Sequence, residues 1–372
     1  MRKISYACRF IFLSTSLIGS PAWSQEKDST VYSTPFITRV MKNVCDWQLN
    51  NPVTINEKNE NDWARAAFYA GVMATYKTTQ EKKYLDAAIA WSESCDWKLA
   101  NRLRDADDHA KGQTYLEIFE IMKEPKMIAD VTSTFDSLIA DPKPGREDWW
   151  WCDALFMAPP VLARLAAATG DERYLEFLNT MFWDTHDFLY DRDEHLFFRD
   201  ASYFDKRTPN GSKTFWARGN GWVMAGTVRV LQYLPSDNPF RDRYVALLQE
   251  MASAIKKIQG EDGLWRPSLL DDQEVPHPET SGSSFFCYAL AWGINNELLP
   301  EDEYLPVVKK AWKGLNSQVT DAGKLQWVQP IGAAPDKVTM DNYQEYGSGA
   351  FLLAGSEIYM SILHRKSPAS TR

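Results

Sequence analysis

Apolar residues recur at helical spacing along almost the whole chain, and every second helical segment opens in a way that an ordinary surface helix does not need. The spacing predicts helices over 36–48, 62–76, 81–98, 108–122, 125–139, 149–168, 171–188, 218–233, 240–257, 281–296, 302–316 and 346–364. The second, fourth, sixth, eighth, tenth and twelfth begin "NDWARAAFYAG", "DDHAKGQTY", "DWWWCDALF", "WARGNGW", "ETSGSSFF" and "EYGSGAF". The helices between them begin plainly, as in "EKKYLDAA", "DERYLEFL", "NPFRDRYV" and "EDEYLPVV". Aromatic surface, glycine and carboxylate are therefore concentrated at one end of one set of helices.

A closed ring of six helical hairpins accounts for this alternation. One helix of each pair forms an inner parallel barrel, the other wraps outside, and all inner N-termini meet at one end. Gly221, Gly226, Gly282, Gly347, Gly349 and Gly355 would let the inner helices approach closely. Pro-, Gly- and Asp-rich joints such as "DPKPGRED", "RTPNGSK" and "QGEDGLWRPS" separate the helices, and no low-complexity linker divides the chain. The "CDW" echo in "VCDWQLNN" and "SCDWKLAN" fits a degenerate helix-pair repeat. The expected fold is all-α, an (α/α)6 barrel formed by a single domain over 25–372. A linear helical solenoid, the structural alternative, would need polar capping repeats that the sequence lacks.

Six converging helix N-termini present free N–H groups and positive dipole ends, which favour an anion. Aromatics at the same end, with 15 Trp in the chain, offer faces for sugar C–H groups. Asp107, Asp108, Asp153 and Glu279 add carboxyl groups at these helix starts.

The first 24 residues have a basic start, an apolar stretch and the small-x-small site Ala22-Trp23-Ser24, the pattern of a secretory signal peptide and hence of an exported, periplasmic protein. Removing them removes Arg2, Lys3 and Arg9 and moves the net charge from -9 to -12. No basic run exists to bind nucleic acid, and no later segment has the ~20 apolar residues of a membrane span. Cys8 lacks a lipoprotein-like context. Cys45, Cys95, Cys152 and Cys287 form no CxxC and no metal pattern, leaving one disulfide or buried free thiols. His109, His186, His195 and His277 are too scattered for a metal site, and no phosphate loop, dinucleotide motif or nucleophile elbow is present. No cofactor is expected.

Asp153 follows Trp149–Trp151 and precedes a strongly apolar helix. Desolvation there would raise its pKa and suit it to general acid work; the competing role is a helix cap. One of Asp107 and Asp108 would cap the fourth helix while the other faces the pocket and pairs with Asp153. Arg218, between the indoles of Trp216 and Trp222, suits either a bidentate carboxylate clamp or structural packing on tryptophan. Arg199 is a second candidate cation, and Trp151 a further aromatic wall.

The blocks "DDHAKGQTYLEIF", "WWWCDALFMAPPVLARLAAATGDERY", "FWARGNGWVMAG", "DGLWRPSLLD", "PETSGSSFFCYALAWGIN" and "EYGSGAFLLAGSE" span roughly 60–360. Together they resemble the unsaturated rhamnogalacturonyl hydrolases of glycoside hydrolase family 105, related to the unsaturated glucuronyl hydrolases of family 88. The resemblance implies an (α/α)6 barrel, no metal, and an oligosaccharide substrate left by polysaccharide lyases with a 4,5-unsaturated uronic acid at its non-reducing end. It places the catalytic aspartate on Asp153 and the second on Asp107, with Asp108 as fallback, and the family's "W-x-R-G-N-G-W" on Trp216, Arg218 and Trp222. The reaction it implies is hydration of the vinyl ether, with Asp153 protonating C4 and a water then attacking C5. An ionised Asp107 would raise the pKa of Asp153. Better-known members carry a histidine where Arg199 stands.

Overall fold

The computed structural model describes residues 30–53 and 63–366; the signal-peptide reading of residues 1–24 lies outside them. Among the described residues there are twelve long helices: α1 Thr34–Asn50, α2 Trp63–Thr79, α3 Lys82–Ser94, α4 Gly112–Met122, α5 Ala129–Ala140 and α6 Pro159–Thr169, then α7 Arg173–Leu189, α8 Ala217–Leu231, α9 Arg241–Lys257, α10 Thr280–Asn295, α11 Glu301–Asn316 and α12 Glu345–Lys366. The even-numbered helices pack in sequence around a ring, and α12 closes it against α2. The odd-numbered helices lie outside, each against an inner neighbour. This is the (α/α)6 barrel.

Sequence periodicity decides which helix is inside. In α11, Tyr304, Val307, Val308, Ala311, Trp312 and Leu315 form one buried stripe, and Glu301, Asp302 and Glu303 complement its N-terminal dipole. Every residue of α8 is buried, as a helix enclosed on all sides requires. Close approach depends on glycine where α2 meets α12: a Cβ on Gly71 would lie 2.6 Å from the Gly349 carbonyl oxygen. Backbone here packs on backbone, so the ring tightens without side chains between the helices.

The structure departs from the periodicity at two inner starts. The segment expected as one helix over 149–168 divides into a turn, Ala154–Met157, and α6, because Pro159 and Pro160 lack the N–H groups that would carry the first across. The second inner helix, α4, is likewise preceded by a separate turn, Ala106–His109. A hairpin of β1 Tyr190–Asp191 and β2 Leu196–Phe197 also appears, too short for alternation to reveal. Its turn places His195 at φ 55.

At the C-terminal ends of the inner helices lies a cavity of about 480 Å³ lined by Lys77, Glu117, Arg164, Arg229, Tyr288 and Glu357. Glu117, 3% exposed, accepts from Lys77 at 3.0 Å, Arg164 at 3.2 Å and Arg229 at 2.6 Å. The four cysteines in the described residues are buried, and no two of them are joined by a disulfide.

Candidate active site

Asp107 and Asp108 are adjacent in sequence but serve different surroundings. Asp105 caps the turn Ala106–His109 by accepting from the Asp107 N–H at 3.1 Å. Asp108 accepts from the Arg102 backbone N–H at 2.7 Å and pairs with its guanidinium. The Asp107 carboxyl makes no hydrogen bond among the described residues. Burial, the charges of Asp105 and Asp153, and that of Asp108 push it well above the ordinary carboxylate range against the pull of Arg102. Neighbouring His109 is buried, pushed down to about 4 by desolvation, and placed by Leu103 through a 2.9 Å bond.

Asp153 stands at the start of the turn Ala154–Met157, with part of its surface open and most of its surroundings protein. Burial raises its pKa, while Arg199 and Arg218, and a bond from the Cys152 thiol, pull it down; Asp200 raises it. Asp107 takes the larger upward shift. The charge of Asp153 is among the causes that raise Asp107, whereas Asp153 itself lies beside two cations, Arg199 and Arg218.

Arg199 reaches this site from the loop after β2. Asn220 of α8 fixes that loop, accepting from the Phe197 N–H at 2.7 Å and donating to its carbonyl at 3.0 Å. Arg199 donates to Asp200 at 2.6 Å and lies 4.9 Å over the Trp150 ring, and its Nε is buried with no partner among the described residues. Trp150 is 47% exposed, whereas Trp151 is buried against it. The accessible indole of the "WWW" run is thus its middle one.

The "WARGNGW" segment is built for closure of the site. The Trp216 indole N–H donates to Gln329 Oε1 at 2.8 Å. Arg218 donates to the carbonyls of Gln329 at 2.6 Å and Pro330 at 2.9 Å, and stacks between Trp216 and Tyr346. Its Nη groups are occupied by the protein, so it contributes charge from behind the pocket. Trp222 is fully buried among Trp63, Phe156, Phe285 and Tyr346 and presents no free face to a sugar. Glu279 caps α10, accepting from Ser281 N–H at 3.0 Å and Gly282 N–H at 2.6 Å, and from the Gln329 N–H at 3.2 Å. Fully buried, with both carboxylate oxygens hydrogen-bonded within the protein, it presents no open oxygen to a ligand.

Gln329 joins these helix starts. Its N–H, carbonyl and side-chain oxygen bond Glu279, Arg218 with Tyr346, and Trp216, and its amide donates to Ala334 at 2.8 Å. Nothing in its sequence context singled it out, nor Asn220, nor Trp150 over its neighbours. Cys152 stands out in the sequence only as one of four cysteines without a pairing or metal pattern. Among the described residues no group of three or more His, Cys, Asp or Glu is placed to hold a metal ion, and no helix is long and apolar enough to cross a membrane.

Residues 37–362 match the profile of Glycosyl Hydrolase Family 88. An unsaturated 3S-rhamnoglycuronyl hydrolase of Formosa agariphila is 40% identical over 86% of this chain and 89% of its own length. A protein of the same name from Alteromonas sp. is 35% identical over 86% of this chain and 85% of its own. A solved structure described as a polysaccharide lyase superposes with a TM-score of 0.83 at 32% identity, over 90% of this chain and 99% of that one.

Proposed function

Because the chain belongs to Glycosyl Hydrolase Family 88, we propose that its barrel removes a 4,5-unsaturated uronic acid from the non-reducing end of lyase-generated oligosaccharides, by hydrating the C4=C5 bond. The observation that carries this reading is the Asp153–Asp107 pair: two carboxyls held toward their neutral forms where inner helix N-termini converge. Asp153, protonated, delivers its proton to C4. Positive charge develops at C5 and the ring oxygen. Asp153, now a carboxylate, takes a proton from the water that attacks C5, and the resulting hemiketal opens to release the remaining sugar. Asp107, neutral, holds substrate hydroxyls. Helix N-termini and Arg199 face the uronate carboxylate, and Trp150 supplies the open aromatic face.

Absorbance of the unsaturated uronate near the ultraviolet edge tests the reaction and its sign. A hydrolase of this kind removes that absorbance; a lyase, the activity named for the similar solved structure, creates it. Asp153→Asn is expected to slow the loss by about 10²-fold or more, the scale of a missing general acid. Undiminished turnover would remove Asp153 from the mechanism.

The names of the two relatives favour an unsaturated uronate joined to rhamnose. A panel of lyase products separates glucuronyl–rhamnose from the pectin-type galacturonyl–rhamnose, each with and without sulfate on the rhamnose. The basic–apolar N-terminus supports export to the periplasm, and the N-terminal residue of the mature protein, expected to be Gln25, tests it.

A further inference from the structure

We propose that Cys152 is a positioning residue for Asp153: its thiol donates to Oδ1, and so leaves Oδ2 as the oxygen that exchanges the proton with substrate. The inference rests on the reading of Asp153 as the acid. The Cys152 sulfur lies 3.3 Å from Asp153 Oδ1, the sole hydrogen bond to that carboxyl among the described residues. Cys152 is itself fixed. Its N–H donates to the Arg199 carbonyl at 2.8 Å, and the adjoining residues Trp151 and Asp200 form a bridge between the two segments. The first turn of α8 closes over the pair. A Cβ on Gly219 would sit 2.9 Å from the Cys152 sulfur and 3.4 Å from Asp153 Oδ1. Glycine at this position of "WARGNGW" is what admits the thiol and the carboxyl together.

A thiol suits the task because it is a weak donor. A hydroxyl in its place would stabilise the carboxylate more and hold the acid further down. Cys152 is fully buried, and desolvation and the charge of Asp153 keep its own proton on well above the ordinary thiol range. The thiol therefore orients the carboxyl without exchanging a proton. The proton given to C4 comes from Asp153 and is replaced from the attacking water. The other charged groups around Asp153 are Arg199 and Asp200 from the loop after β2, Arg218 from α8, and Asp107 from the turn Ala106–His109. None of these is altered by a change at Cys152.

Two variants move the same carboxyl in opposite directions. Cys152→Ala removes the donor, so the basic limb of kcat/KM should move up by about 0.5–1 pH unit, the equivalent of one hydrogen bond. Cys152→Ser strengthens the donor, so the limb should move down by a similar amount while kcat at the optimum stays within about threefold of wild type. A packing role alone predicts lower activity in both with the limb unmoved, and that result overturns the proposal. Infrared measurement of the S–H stretch gives a readout that needs no turnover. In the wild type one S–H band should shift as Asp153 ionises, and Asp153→Asn should abolish that pH dependence. S–H bands indifferent to pH overturn the proposal even if neither Cys152 variant folds. Normal turnover by Asp153→Asn, together with an S–H band that follows pH in the wild type and not in that variant, would instead sink the acid assignment and leave the hydrogen bond standing.

Discussion

Glu117 at one end of the inner barrel and the Asp107–Asp153 pair at the other are desolvated carboxyl groups held in opposite ways. At the N-terminal end, burial holds Asp107 and Asp153 toward the neutral acid, with the charges of Asp105 and Asp153 adding to it at Asp107 and Arg199 and Arg218 opposing it at Asp153. At the C-terminal end, burial would raise Glu117 too, but Lys77, Arg229 and Arg164 outweigh it and hold the carboxylate ionised. The helix axes explain part of the choice. C-terminal carbonyl ends favour cations, so Lys77 and Arg229 sit in the last turns of α2 and α8 and need an anion between them. At the other end Asp107 and Asp153 are left short of hydrogen-bonding partners and able to exchange protons. The Glu117 cluster is built to keep its charge and the aspartate pair to change it.

The contrast can be broken at either end. Glu117→Gln should have the largest effect on stability, a loss of about 3–5 kcal/mol, because it strands buried guanidinium groups. Chemical denaturation measures it. The pH dependence follows the same sign: a depressed carboxylate contributes stability above its unfolded value near ~4.3, and that stability is lost as pH falls through the folded value. Wild type should therefore lose stability on acidification where Glu117→Gln loses less.

Asp107→Asn should do the reverse. A raised acid favours unfolding increasingly as pH climbs from the unfolded value near ~3.9 toward the folded one, since the unfolded chain releases the proton first. The variant should gain about 0.5–2 kcal/mol at neutral pH while losing activity, the usual exchange at a functional site. A loss of stability at neutral pH would contradict the shift assigned to Asp107. The smallest effect belongs to the rim. Trp150→Ala should raise KM roughly fivefold, about 1 kcal/mol of stacking, with kcat little changed. An unchanged KM would place the sugars elsewhere.

The fold was legible because the inner helices advertise themselves at their starts, and twelve periodic segments leave few ways to bring six such starts together. The chemistry at those starts was legible by residue type but not by orientation. Trp222 lies beyond the first turn of α8, deep enough to be core, while Trp150 lies before its helix and reaches solvent. Arg218 and Glu279 carry the right charges for ligand binding, yet the distant backbone of Gln329 and Pro330 occupies them, and no local pattern encodes that return. Glu117 in "YLEIFEIM" reads as the polar face of an amphipathic helix; only the ring turns that face inward.

The Gln329 junction also bears on time. This residue lies between α11 and α12, yet it ties together the starts of α8, α10 and α12. A chain emerging from the ribosome can form its early hairpins, but the mouth of the barrel has no floor until the last hairpin arrives and α12 docks on α2. Contacts of such long sequence separation form late and slowly. Catalytic competence is thus expected last, as the ring shuts, and the return of activity during refolding measures that step.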